Sequence, residues 1–213
     1  MKRIVGMATT AERLRYANLA IESLRDQCDE IHLYNNGVEL EDLTDNGKFF
    51  GLTYHDEPVY YFSVDDDLIY PPNYIEQLVK EIEETQSIVT HHGRILRGEN
   101  HDYYRGHYAF HCLSEQPNRC KIDVAGTGVT GWRTDYFDAS NIWAAEDKLM
   151  SDLVFSLEAA KQEKNIMLMP HRNNWFKYLD VPNTIHEHFM NRSTKRQTEI
   201  ANEIYTRNVN RNK

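Results

Sequence analysis

A short run of strand-forming residues that ends in three carboxylates and a proline pair constrains this chain more than any other segment: Tyr60-Tyr61-Phe62-Ser63-Val64-Asp65-Asp66-Asp67-Leu68-Ile69-Tyr70-Pro71-Pro72. Aromatic and β-branched residues favour a pleated, half-buried surface, and Asp and Pro end it, so Asp65 and Asp67 are expected at the carboxyl edge of a sheet. That edge is where open α/β sheets hold ligands. Three adjacent carboxylates repel one another and gain nothing from packing. A positive group is therefore expected beside them, and oxygen-only donors suit hard divalent ions such as Mg²⁺ or Mn²⁺. One Asp would suffice to close a strand or cap the following helix. Three point to a metal-diphosphate site.

The surrounding pattern alternates strands and helices. Ile4 to Ala8 reads as a strand, and Ala11 to Asp26 as a helix with Leu14, Ala17, Leu19, Ile21 and Leu24 near one face. Glu30 to Tyr34 is a second strand that stops at the turn signal Asn35-Asn36-Gly37. The loop between them, Ala8 to Arg13, places hydroxyls and a cation where a nucleotide lies against a helix N-terminus, although Thr9 or Thr10 also suits a helix cap. Asp45 to Phe50 is a turn into a short element, and Asn73 to Gln86 a helix with Ile75, Leu78, Val79 and Ile82 on one face. Ser87 to His91 is a further strand. Such alternation predicts a largely parallel sheet covered on both sides.

The second half differs. Residues 93–121 are polar, aromatic and His-rich, as expected of an excursion over a site and not of core. Ile122 to Gly131 reads as one glycine-punctuated strand, where small residues admit either a β-bulge or close approach of a substrate. Met150 to Glu163 is a helix with Leu153, Val154, Leu157 and Ala160 on one side, and Ile166 to Met169 a late strand. The polar run from Asn208 to Lys213 leaves room for the domain to sit within a longer protein.

Composition narrows the partners. A net charge of -9 over 213 residues argues against a nucleic-acid surface. Thirteen Tyr favour a concave site that handles polar rings. Cys28, Cys112 and Cys120 are odd in number and lack a CxxC spacing, which predicts buried thiols in a reducing, cytoplasmic compartment. No apolar run approaches the roughly 20 residues of a membrane span, and the run after Lys2-Arg3 is too short for a signal-peptide core.

Taken together, the early strand-helix-strand unit with its Thr/Arg loop, the Asp65-Asp66-Asp67 cluster as a DxD motif, the Ala125-Gly126-Thr127-Gly128 strand, and Met150 to Leu157 followed by Asn174-Trp175 resemble a glycosyltransferase of the GT-A fold. The resemblance lies within the large inverting family that uses nucleotide sugars and covers essentially the whole chain. Among such proteins it looks most like the glycosyltransferase domains encoded by large algal viruses of the chlorovirus kind, which would place it in the host cytoplasm. It implies a single Rossmann-like α/β domain with a mixed, largely parallel sheet flanked by helices on both faces. Residues 1–92 would form a nucleotide-binding half and 93–213 an acceptor-binding half.

The resemblance also implies roles. Ala8, Thr9 and Arg13 match the loop that holds uracil and its ribose, and Asp45 and Lys48 a turn flanking the base. Asp65 matches the carboxylate facing the ribose, with Asp66 beside it in the donor site. Asp67, with Asp65, would hold Mn²⁺ or Mg²⁺ against the diphosphate of a UDP-sugar, a Lewis-acid role. His188, or His186, would add a ligand from the carboxyl end. Inversion needs a base that takes the proton of the carbohydrate acceptor's hydroxyl. Asp152 is the first choice, heading a helix whose N-terminus favours its ionised form by about 0.3–1 kcal/mol. Glu146 and Asp147 are close seconds, because the family's motif is often written as adjacent acids. Trp132, Tyr103, Tyr104 and Trp175 are candidate sugar platforms, and Lys195 and Arg196 candidate phosphate contacts. A sugar-phosphate nucleotidyltransferase would need a glycine-rich basic first loop, which Thr9-Thr10 and Arg13 do not supply. A non-catalytic nucleotide-sugar or glycan binding domain is the third reading.

Overall fold

A computed structural model describes residues 1–38, 41–99, 102–181 and 194–211. Its centre is a seven-stranded sheet built from β1 (Arg3–Thr10), β2 (Glu30–Asn36), β3 (Tyr60–Val64), β5 (Ile88–Thr90), β8 (Cys120–Ile122), β10 (Val129–Arg133) and β11 (Ile166–Leu168). Their spatial order is β2-β1-β3-β10-β5-β11-β8. β1 runs parallel to β2 and β3, and β5 parallel to β11, whereas β10 and β8 are antiparallel to their neighbours. The expected mixed, largely parallel sheet is thus present. Strands β4 (Leu68–Ile69) and β12 (Lys177–Tyr178) form a small ribbon. β6 (Gly93–Leu96), β7 (His107–Phe110) and β9 (Val124–Ala125) form a second, three-stranded sheet.

Alternation along each strand sorts residues to two faces. Val5, Met7, Phe62 and Val64 meet α1 (Leu14–Leu24) and α2 (Tyr74–Thr85) in one core. Ile4 and Tyr61 point the other way, toward Phe49, Trp132, Phe137 and Phe155, the last of these on α3 (Ser151–Lys161). Helices therefore cover both faces. The far side of α3 packs Leu153 and Ala160 against Ile200, Ala201 and Ile204 of α4 (Lys195–Arg211).

Several expectations need correction. Leu19 is 51% exposed, because the buried stripe of α1 runs through Ala17, Ala20 and Leu24 and position 19 falls some 200° around the helix from 17. Residues 122–131 are not one strand: the chain leaves β8, pairs with β6 as β9, then crosses at Gly126-Thr127-Gly128 into β10 of the main sheet. Residues 93–121 are not merely an excursion, since Leu96, Tyr103 and Cys112 are buried and β6 is the middle strand of the second sheet.

Residues 44–54 form a 3-10 helical segment that lies directly on β1. Tyr61 Oη donates to Lys48 O at 2.8 Å, and any Cβ at Gly6 would overlap that same carbonyl. Glycine at position 6 lets the segment approach the sheet closely enough to bring Asp45 and Lys48 to the strand ends.

Candidate functional site

β3 ends at Val64, and Asp65, Asp66 and Asp67 turn the chain back into the β4 ribbon. Tyr70 holds this turn from within. Its hydroxyl accepts from Asp65 N at 2.8 Å and donates to Gly128 O at 2.6 Å. Leu179 N donates to Asp67 O at 2.8 Å, so the ribbon fixes the last of the three backbones.

The three carboxylates have different surroundings. Asp66 is buried: Thr9 Oγ1 donates to its Oδ2 at 2.6 Å and Arg13 Nη2 pairs with its Oδ1. Thr9 is therefore neither a helix cap nor a cavity-lining residue; it anchors Asp66, while Thr10 leads into a 3-10 turn, Ala11–Arg13, ahead of α1 without a side-chain cap. Asp67 faces the same Arg13 at 3.3 Å. Burial, reinforced by the charge of Asp65, pushes the Asp67 carboxyl up to about 7. Asp65 is 40% exposed and pairs with the buried ammonium of Lys48. Burial works against charge on Lys48, but Asp65 and Asp45 outweigh it and raise its titration above the ordinary range.

A cavity of about 880 Å³ opens at this edge, lined by Ala8, Thr10, Arg13, Asn36, Asp45, Lys48, all three acids and Tyr178. A second cavity, about 240 Å³, lies beyond it and is lined by Arg94, Tyr103, Tyr104, Thr127, Asp152 and Gln197 among others. Asp45, Lys48, Asp65 and Leu149 border both. Arg94, which the sequence places with His91 and His92 at the same sheet edge as a candidate diphosphate or acceptor contact, lines the second cavity, whereas Asn36, Tyr178 and Gln197 were missed from the sequence, since no local motif signals which distant loops converge.

Asp152 stands in the first turn of α3. Thr127 donates to its Oδ1 from both N and Oγ1 at 2.8 Å, and among the described residues its Oδ2 has no hydrogen-bond partner. Arg94 is largely buried over the Tyr103 ring and feels the charge of Asp152. Asp45, besides lining both cavities, has a structural part: its two oxygens accept from Leu149 N and Ser151 N, each at 2.8 Å, and so cap α3 from across the cleft. Leu149 has a left-handed backbone, φ 62°, at this junction.

The alternative bases lie elsewhere. Asp147 is forked by Arg196 through Nε at 2.8 Å and Nη2 at 2.7 Å, which holds its carboxyl low, and it lines neither cavity. Arg196 is consequently engaged away from any phosphate. Glu146 is exposed and also outside both cavities. Trp132 is fully buried and so is not a sugar platform; Trp175 is half-buried, packs on His91 and Phe176 and lines neither cavity, whereas Tyr103 and Tyr104 line the second. His186 and His188 lie outside the described residues. No helix among the described residues is long and apolar enough to cross a membrane.

No protein-family model matches this chain, and no curated protein does.

Proposed function

We propose that this protein is a metal-dependent, inverting glycosyltransferase of the GT-A fold that moves a hexose or deoxyhexose from a UDP-sugar to a carbohydrate acceptor. The observation that carries the reading is the meeting of two cavities at Asp65. The larger has the acid triplet at its floor, and the smaller holds a carboxylate with one oxygen unengaged. The nucleoside diphosphate occupies the larger, with Arg13 and Lys48 as cations beside it. The sugar projects past Asp65 toward Asp152.

The donor set fits a hard divalent ion. Asp66 is spent on Thr9 and Arg13, and Lys48 and Arg13 each take one oxygen of Asp65 and Asp67, which leaves Asp65 Oδ2 and Asp67 Oδ1 as carboxylate oxygens at the cavity, a pair suited to Mg²⁺ or Mn²⁺ that keeps several waters. When bound, such an ion neutralises charge on the departing diphosphate. Asp152 Oδ2 accepts the proton of the attacking hydroxyl, and the two Thr127 donors on Oδ1 keep the carboxylate aimed. Arg94 orients hydroxyls of the sugar or acceptor in the same cavity.

The test is a panel of UDP-sugars with Mn²⁺. Asp152→Asn is expected to lose turnover by about 10²–10⁴-fold with UDP binding kept. Asp67→Ala is expected to lose metal-dependent UDP binding. No binding or hydrolysis of any donor, with Asp67→Ala indistinguishable from the parent, overturns the reading. Pyrophosphate release from a nucleoside triphosphate would replace it with nucleotidyl transfer.

A further inference from the structure

A second group of ligating side chains lies on the opposite face of the sheet edge from α1. Residues 31 and 33 of β2 face the α1 core, so Glu30 and His32 point outward toward the 44–54 segment, and His55 follows that segment directly. The two imidazole Nε2 atoms are 3.2 Å apart, and Glu30 Oε2 stands 3.5 Å from His32 Nε2 and 3.8 Å from His55 Nε2. Donors at about 2.0–2.2 Å around a tetrahedral zinc ion are separated by about 3.3 Å. The triangle is already close to that shape.

We propose that Glu30, His32 and His55 bind a borderline-soft divalent transition-metal ion, Zn²⁺ foremost, at a site separate from the acidic cleft. Two imidazoles and one carboxylate with a water in the fourth position are a common zinc donor set, and softer nitrogen donors set it apart from the all-oxygen cleft. Supporting contacts hold the ligands in place. Lys2 Nζ sits 2.6 Å from Glu30 Oε1, which leaves Oε2 turned to the imidazoles. Tyr54 stacks on His32 with centroids 5.2 Å apart, and the lack of a side chain at Gly51 lets the 44–54 segment lie against the base of the His32 side chain. The side chains of His32, His55 and Glu30 are 26%, 11% and 35% exposed, open enough for an ion to enter.

An ion here would clamp the end of the segment that carries Asp45 and Lys48 onto β2. The experiment titrates Zn²⁺ into chelator-treated protein with excess Mg²⁺ present to occupy hard-oxygen sites. One ion per chain is expected, unaffected by Asp67→Ala and weakened by at least about 10-fold in His32→Ala and in His55→Gln. Co²⁺ in place of Zn²⁺ should give the strong visible d–d absorption of a tetrahedral centre in the parent and lose it in His55→Gln. Equal Zn²⁺ affinity in parent and folded His variants overturns the proposal. So does a parent Co²⁺ spectrum without the tetrahedral band, which decides the matter even if a variant fails to fold. Neither result depends on whether the cleft transfers sugars.

Discussion

Asp67 is held in conditions that disfavour its charge, and this sets two measurable consequences. Its carboxyl titrates at about 7 in the folded chain against an ordinary value of 3.8, so the folded state keeps a proton that the unfolded chain releases earlier. The resulting stability is full below pH 4 and is lost as the pH rises toward 7. Asp67→Asn should therefore raise the stability of the metal-free protein at pH 8 by about 2–4 kcal/mol, with little effect at pH 4, in urea titrations at both values. Divalent-ion affinity, measured by calorimetry in the parent, should weaken as the pH falls below 7, because the proton competes for the same oxygen. Gly128 is the neighbouring constraint: any Cβ there would overlap Asp65 Oδ2. Gly128→Ala should displace Asp65 from Lys48 and weaken UDP binding by about 10-fold or more, with a destabilisation of about 1–3 kcal/mol.

At the scale of elements, α3 depends on a cap borrowed from far along the chain. No side chain of its own N-terminal turn caps it; Asp45 does, through Leu149 N and Ser151 N. Asp45→Ala should cost about 1–2 kcal/mol in urea unfolding with an unchanged m-value, and should impair turnover through the misplacement of Asp152. Strands β1, β2, β3, β5 and β11 and helices α1, α2 and α3 were legible because apolar periodicity and punctuation are local, and the acid triplet because its residue types clash with any purely structural use. What was not legible depended on pairing across distance. Asp45 reads as a cleft residue, which it is, but its second use as a cap shows only once its partners at 149 and 151 are known, and the Ile122 to Gly131 run cannot announce that its glycines let the chain pass between two sheets against His92 and Asp65. Trp132 and Asp147 misled for a similar reason, since an aromatic or an acid carries no local mark of the core or the arginine that absorbs it.

For the whole molecule, binding at the cleft should register as global stability, because the cavity walls come from β1, the 44–54 segment, the triplet turn and the β12 ribbon. UDP with Mn²⁺ at 100 times its dissociation constant should add about 2.7 kcal/mol, which for a chain of this size raises the melting temperature by about 5–10 °C in calorimetry. Topology has a consequence for how the chain is made. β10 is inserted between β3 and β5, so the sheet begun by residues 1–92 has a gap in its middle until residues 129–133 arrive. During synthesis on the ribosome, β3 and β5 wait with open backbone edges, the state in which nascent chains aggregate or recruit chaperones. An amino-terminal fragment that stops before Val129 would keep those edges for good, so attempts to express the first 92 residues alone should yield inclusion bodies.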